Sequence, residues 1–176
     1  MIMFASRCHI GICLLALALA LVGPGWSQTA TPPSPELTNL YRQAVSLLEQ
    51  AQQQLTEKNL SAALAQVKQC NELFTRLQKE CAAVLADRQI SSQDSQQLAI
   101  NQKLAGDAQA QADRLLDTAA AKGKQARELK AQGQVEAGDA AYQQSREEYL
   151  QAQSLSIKSA IYALRNQQII FRFLAP

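Results

Sequence analysis

The sequence predicts an all-α protein, an elongated antiparallel four-helix bundle or two stacked helical hairpins, and three observations predict it. No proline occurs between Glu36 and Ala175, and that span holds only Gly106, Gly123, Gly133 and Gly138 as glycines. Ala, Gln, Leu, Glu, Lys and Arg dominate it, the residues that enter a helix most readily. The apolar residues recur at steps of three and four, the pattern of rods meeting along one stripe.

Residues 1–27 read as a cleavable secretory signal peptide. Arg7 gives a short positive start, and Ile10 to Val22, "IGICLLALALALV", is an uncharged apolar run. That run is shorter than the roughly 20 residues a bilayer-spanning helix needs. Pro24 and Gly25 then break it, and Gly25-Trp26-Ser27 sets small residues at the positions a signal peptidase reads. The expectation is an exported protein, in a periplasm, another extracytoplasmic lumen or secreted, whose mature chain has no transmembrane helix. Cleavage removes His9, the one histidine, together with Trp26, Cys8 and Cys13. It leaves 16 Lys+Arg against 15 Asp+Glu. A near-neutral chain without a basic block is not expected to bind nucleic acid, which needs clustered positive charge. Residues 28–35, "QTATPPSP", form an expected proline-rich disordered arm, and 36–174 a single helical domain.

The first helix is expected over 35–57. Ser34 is its N-cap, Pro35 suits the first helical position and Glu36 the positive end of the dipole. Its stripe is Leu37, Tyr41, Ala44, Leu48, Ala51 and Leu55. "TEKN", 56–59, turns the chain into a second helix over 60–88, whose stripe runs Leu60, Ala63, Val67, Cys70, Phe74, Leu77, Cys81 and Val84.

That phase decides how the two remaining cysteines are read. Cys70 and Cys81 share one helix and lie roughly 16 Å apart at 1.5 Å per residue, whereas a disulfide needs Cα atoms within about 7 Å. They cannot bond each other while the helix is intact. They are read first as small apolar core residues, and second as an intermolecular disulfide pair, Cys70 facing Cys81 of an antiparallel copy in an oxidising compartment. Their spacing suits no metal, and no cofactor is expected.

"ISSQD", 90–94, carries Ser91 with Asp94 three residues on, a variant of the capping box, and starts a third helix over 92–132. Its stripe is Leu104, Ala108, Ala112, Leu115 and Ala119. A turn is expected near Gly133, with Gly138 the alternative. The fourth helix, 135–173, carries Val135, Gly138, Tyr142, Ser145, Tyr149, Ala152 and Ser156 on its stripe, so Tyr142 and Tyr149 are expected in the core. At roughly 60 Å, part of this second hairpin should project beyond the first. An offset of 75 matches Leu60, Ala62, Ala65, Val67, Glu72 and Phe74 to Val135, Ala137, Ala140, Tyr142, Glu147 and Tyr149, a weak internal repeat.

The stretch "LEQAQQQLTEKNLSAALAQVKQC" resembles a tetratricopeptide-type helix pair over about 35 residues, through the polar turn Lys58-Asn59, Leu60 just after it, Ala63, Val67 and Cys70. What the resemblance implies is a peptide-binding groove.

Chemistry-bearing groups are scarce. A mature chain without histidine lacks the commonest general base near neutral pH. It has neither a phosphate-binding glycine loop nor a nucleophile elbow. Asp107, Asp113 and Asp117 are the densest carboxylate set, and the nearby Lys103 and Arg114 mark a solvated face. The expectation is therefore a non-enzymatic interaction or scaffold module with a protein partner or a homodimer. Its candidate docking residues are Ile169, Ile170, Phe171, Phe173 and Leu174 in the apolar C-terminal stretch. The alternatives are a bundle holding a small apolar ligand between Ala108, Ala112, Ser145 and Ser156, and a layer in peripheral contact with a membrane surface.

Overall fold

The computed structural model describes residues 34–175. The expected signal segment 1–27 and all but the last two residues of the proline arm lie outside the described residues. Those two residues begin the first helix. Ser34 is extended, its Oγ accepts the Leu37 N–H at 3.3 Å, and Pro35 occupies the first turn of α1 (Pro35–Thr56). Lys58 adopts a left-handed φ of 60°, which turns the chain back. Asn59 then caps α2 (Leu60–Glu80) by accepting the Ala62 N–H. A one-turn helix, α3 (Ala82–Ala86), and a short loop lead to α4 (Ser92–Ala131), capped by Ser91 through the Asp94 N–H at 3.0 Å. The α4–α5 turn lies at Gly133, whose φ of 80° a side chain would strain. Then come α5 (Val135–Ile170) and a 3-10 turn, Arg172–Leu174.

The described residues are thus all-α, with no strand among them. The four long helices form two antiparallel hairpins, α1–α2 and α4–α5. They are joined through α5, since α1 and α2 both pack on α5 while α4 packs on α5 alone. We call the part where α1, α2 and the C-terminal half of α5 meet the head. The arm is what remains of the α4–α5 pair beyond it.

The head has a conventional apolar core. Leu48, Val67, Phe74 and Leu77 of the first hairpin meet Ile157, Ile161, Leu164 and Phe171, all less than a tenth exposed. Phe74 and Phe171 stack with centroids 6.0 Å apart. Each such side chain contributes about 1.5–3 kcal/mol by leaving water. No residue of α5 before Ile157 belongs to this core.

The second helix does not run to residue 88. It stops at Glu80, and Cys81 takes a non-helical conformation (φ −100°, ψ 10°). The apolar stripe runs out of partners there. Cys81 is buried, but Val84, expected as the next seam residue, is 55% exposed. Breaking at Cys81 turns the chain toward α4 and brings the Arg88 guanidinium over the Phe173 ring at 4.6 Å.

The α4–α5 pair is built differently. The seam of α4 is Leu98, Asn101, Ala105, Ala108, Ala112, Leu115, Ala119, Lys122, Ala126 and Leu129, all buried or half-buried. The seam of α5 is Gly138, Ala141, Ser145, Glu148, Ala152, Leu155, Ser159, Asn166 and Ile169, with Tyr162 half-buried between the last serine and Asn166. The register is regular. Ser145 Oγ donates to the Ala119 carbonyl at 2.7 Å, Ser159 Oγ to Ala105 at 2.8 Å, and Asn166 Nδ2 to Leu98 at 3.1 Å. Continued one heptad past Ser145, the same ladder sets Gly138 against Ala126. A Cβ at Gly138 would lie 2.9 Å from the Ala126 carbonyl oxygen. Small residues thus bring the two backbones close enough for side-chain hydroxyls to reach main-chain oxygens across the pair.

Candidate functional site

The predicted docking residues are folded into the head. Phe171 and Leu174 are 0% and 1% exposed, Ile169 is buried, and Ile170 and Phe173 are half-buried against the core. The 3-10 turn clasps this stretch in place. Thr38 Oγ1 donates to the Leu174 carbonyl at 2.9 Å, the Tyr41 hydroxyl to the Gln168 carbonyl at 3.1 Å, and Arg172 pairs with Asp94 at 3.4 Å. Burial raises the Tyr41 pKa, with Arg172 and Arg88 pulling the other way. Burial also lowers that of Arg88, against the nearby Asp94 carboxylate. As a docking surface the stretch offers only the edges of Ile170 and Phe173, because its largest side chains complete the chain's own core.

The two cysteines are free and buried. The Cys70 thiol donates to the Ala44 carbonyl at 3.2 Å, and burial pushes its pKa up to about 12. Cys81 is shifted upward as well, first by burial and then by Glu80. A thiolate is the attacking form in disulfide exchange, and neither thiol is exposed. Pairing Cys70 with Cys81 of a second copy requires the head to open.

Three of the four residues proposed to line a ligand chamber are packed against the facing helix, and the fourth, Ser156, is half-buried outside that seam. Ala108, Ala112 and Ser145 are buried, and Ser145 spends its hydroxyl on Ala119. Asp107, Asp113 and Asp117 are exposed, with Asp113 accepting from Gln109 Nε2 at 2.8 Å. Among the described residues no three metal-ligating side chains gather, and no helix is long and apolar enough to cross a membrane. The first hairpin stands single. What packs on it is the C-terminal half of α5 and the 3-10 turn, in place of a further helix pair.

Tyr142 and Tyr149 are not core residues but 55% and 42% exposed. The seam steps from Gly138 to Ala141, not to Tyr142, so both rings turn to one side of the arm. There they wall an open groove of about 410 Å³ floored by Ala120, Gly123 and Ala126. Arg127, Lys130 and Ser145 complete its lining. Arg146 and Leu150 edge a contiguous hollow on the outer side of α5. Lys130 pairs with Asp139 at 2.5 Å and sits 5.8 Å from the Tyr142 ring centre. Lys122, paired with Glu148 at 2.5 Å, ties the two helices nearby. The arrangement offers aromatic faces, a floor narrow enough for close approach, and cationic rims. It brings together no nucleophile–base pair.

No protein-family model, curated protein or solved structure matches this chain.

Proposed function

We propose that this chain is an exported, non-enzymatic interaction or scaffold module that works through protein–protein contacts outside the cytoplasm. The observation that supports this reading is the arm. Beyond the head the α4–α5 pair continues, held by a hydrogen-bonded small-residue seam and by the Lys122–Glu148 and Lys130–Asp139 pairs. Along one side it presents Tyr142, Tyr149 and Leu150, each at least 42% exposed. Single exposed apolar residues are ordinary on a protein surface. Clustered aromatic and aliphatic side chains beside a groove are the composition of an interface. The export half of the proposal rests on the pattern of residues 1–27.

The reading is tested in the native host by placing a photo-crosslinking residue in the full chain, at Gln153 on the arm or at Glu49 on the exposed face of α1. Adducts with another protein from position 153 support an interaction module. A chain that gives no protein adduct from either position is not one.

A further inference from the structure

We infer that the arm groove seats one amphipathic helix of an acidic partner protein, with the partner's apolar stripe between Tyr142 and Tyr149 and its carboxylates on Arg127, Lys130 and Arg146. The inference rests on the interaction-module reading and names its surface and partner class.

Three features of the arm converge on it. The first is shape. A pair of antiparallel helices leaves a furrow along its side, and a third helix fills it at an interaxial distance of about 8–10 Å. Here the floor is Ala120, Gly123 and Ala126, which lets a backbone approach. Tyr142 and Tyr149 stand one heptad apart, roughly 10 Å along α5 at 1.5 Å per residue. An i, i+3, i+4, i+7 stripe on an incoming helix has that repeat.

The second is charge. The groove and the adjoining hollow are lined by three cations and no carboxylate. Lys130 already shares Asp139, but among the described residues Arg127 and Arg146 form no ion pair. The site is therefore complementary to acid and not to itself. A second copy docking through the same face would set cation against cation, at a cost in affinity.

The third is continuity. On α5, Arg146, Leu150 and Gln153 lie on the stripe that carries Ile157, Ile161 and Leu164. The α1–α2 hairpin covers that stripe in the head. It ends where the stripe becomes exposed. The partner helix would extend, along the arm, a helix seat the chain already fills with its own residues.

The test is fluorescence anisotropy of a labelled 21-residue probe peptide, with Leu and Ala at three- and four-residue steps and Glu elsewhere, titrated with the full chain. The expected result is binding at least about tenfold tighter than that of the same peptide with Lys in place of Glu, weakening as salt is raised. Arg127→Glu combined with Arg146→Glu should cost about tenfold or more. Tyr142→Ala with Tyr149→Ala should weaken binding at unchanged helix content and unchanged melting of the head. Equal binding of the two peptides, no binding of the acidic one, or full binding by the charge-reversed variant overturns the inference. So does binding to vesicles of anionic phospholipid in place of the peptide, or self-association that Arg146→Glu abolishes. Failure here and failure of the broader reading are separable. Protein adducts from position 153 without acidic-peptide binding remove only the partner's chemistry, whereas a chain without any adducts loses both.

Discussion

Two faces of α5 hold helices by opposite means. Toward α1 and α2 it offers Ile157, Ile161, Leu164 and Phe171, large side chains that fill space. Toward α4 it offers Gly138, Ser145, Ala152 and Ser159, residues chosen for how little space they take. The first face gains its free energy from apolar area removed from water. The second removes less area but lets backbones approach, gaining dispersion contacts and hydroxyl-to-carbonyl hydrogen bonds that fix the register. One consequence is functional. Where the seam steps through Ala141, Ser145 and Ala152 it leaves no room for a ring, so Tyr142 and Tyr149 face solvent, while the aromatic side chains Phe74 and Phe171 of the head are hidden.

The comparison breaks first at Phe171. Its ring is fully buried and stacks on Phe74. Phe171→Ala should cost about 3–5 kcal/mol, read as a lowered urea midpoint for the whole cooperative transition. A loss under 1 kcal/mol, or one confined to the C-terminal turn, would show that the head is not one packed unit.

Next in size is Ala119→Leu, the same idea applied to the arm. Ala119 is fully buried and its carbonyl accepts from Ser145. Inserting a large side chain into a close seam should cost about 1–3 kcal/mol. The damage should be local. Hydrogen exchange should quicken in the arm halves of α4 and α5, while α1 and α2 keep their protection. Uniform loss of protection would mean that arm and head unfold together.

Which parts of this were legible in the sequence follows from the same contrast. The all-α class and the hairpin of α1 with α2 could be read because large apolar residues mark their stripe unmistakably: Tyr41, Leu48, Val67, Phe74, Leu77. The breaks at Asn59, Ser91 and Gly133 are legible because caps and left-handed turns demand particular residues. The second seam was only half legible. From Gly138 the pattern allows a step of three to Ala141 or of four to Tyr142, and hydrophobicity favours the tyrosine. Size decides otherwise, because a close-packed seam admits Ala141 and excludes a ring. The groove is hidden in the sequence for the same reason. Its cations come from α4 and α5 and become neighbours only once Ser145 is known to face Ala119. The end of α2 is not legible, because periodicity continues to Val84, whereas the surface available to bury it does not. The C-terminal stretch reads as apolar from the sequence, but whether such a stretch meets a partner or its own core depends on whether Phe74 lies opposite.

A smaller effect separates hydroxyl from volume. Ser145→Ala keeps the seam's fit and removes one hydrogen bond at 2.7 Å. The Ala119 carbonyl keeps its place in the helix ladder, so the expected loss is about 0.5–1.5 kcal/mol, visible as faster exchange in the arm alone. A larger loss would mean that the ladder, and not close packing, holds the arm.

The last effect is absent near neutrality and appears only in alkali. The Cys70 pKa lies at about 12 in the folded chain against 9.0 for a free thiol. Burial favours the neutral form, so the folded state keeps a proton that the unfolded state gives up first. The stability this represents is fully present below pH 9 and is lost as pH rises from about 9 toward 12. The difference in unfolding free energy between the wild type and Cys70→Ala should stay constant up to about pH 8 and shrink above pH 9. The same thiol reports on the two halves of the molecule. At pH 8 iodoacetamide should modify Cys70 and Cys81 only as fast as the head opens. Phe171→Ala should therefore accelerate labelling in proportion to its loss of stability, and Ala119→Leu should leave the rate where it was. Labelling that quickens equally in both variants would make the arm part of the head's cooperative unit, and the division of α5 into two independent faces would not hold.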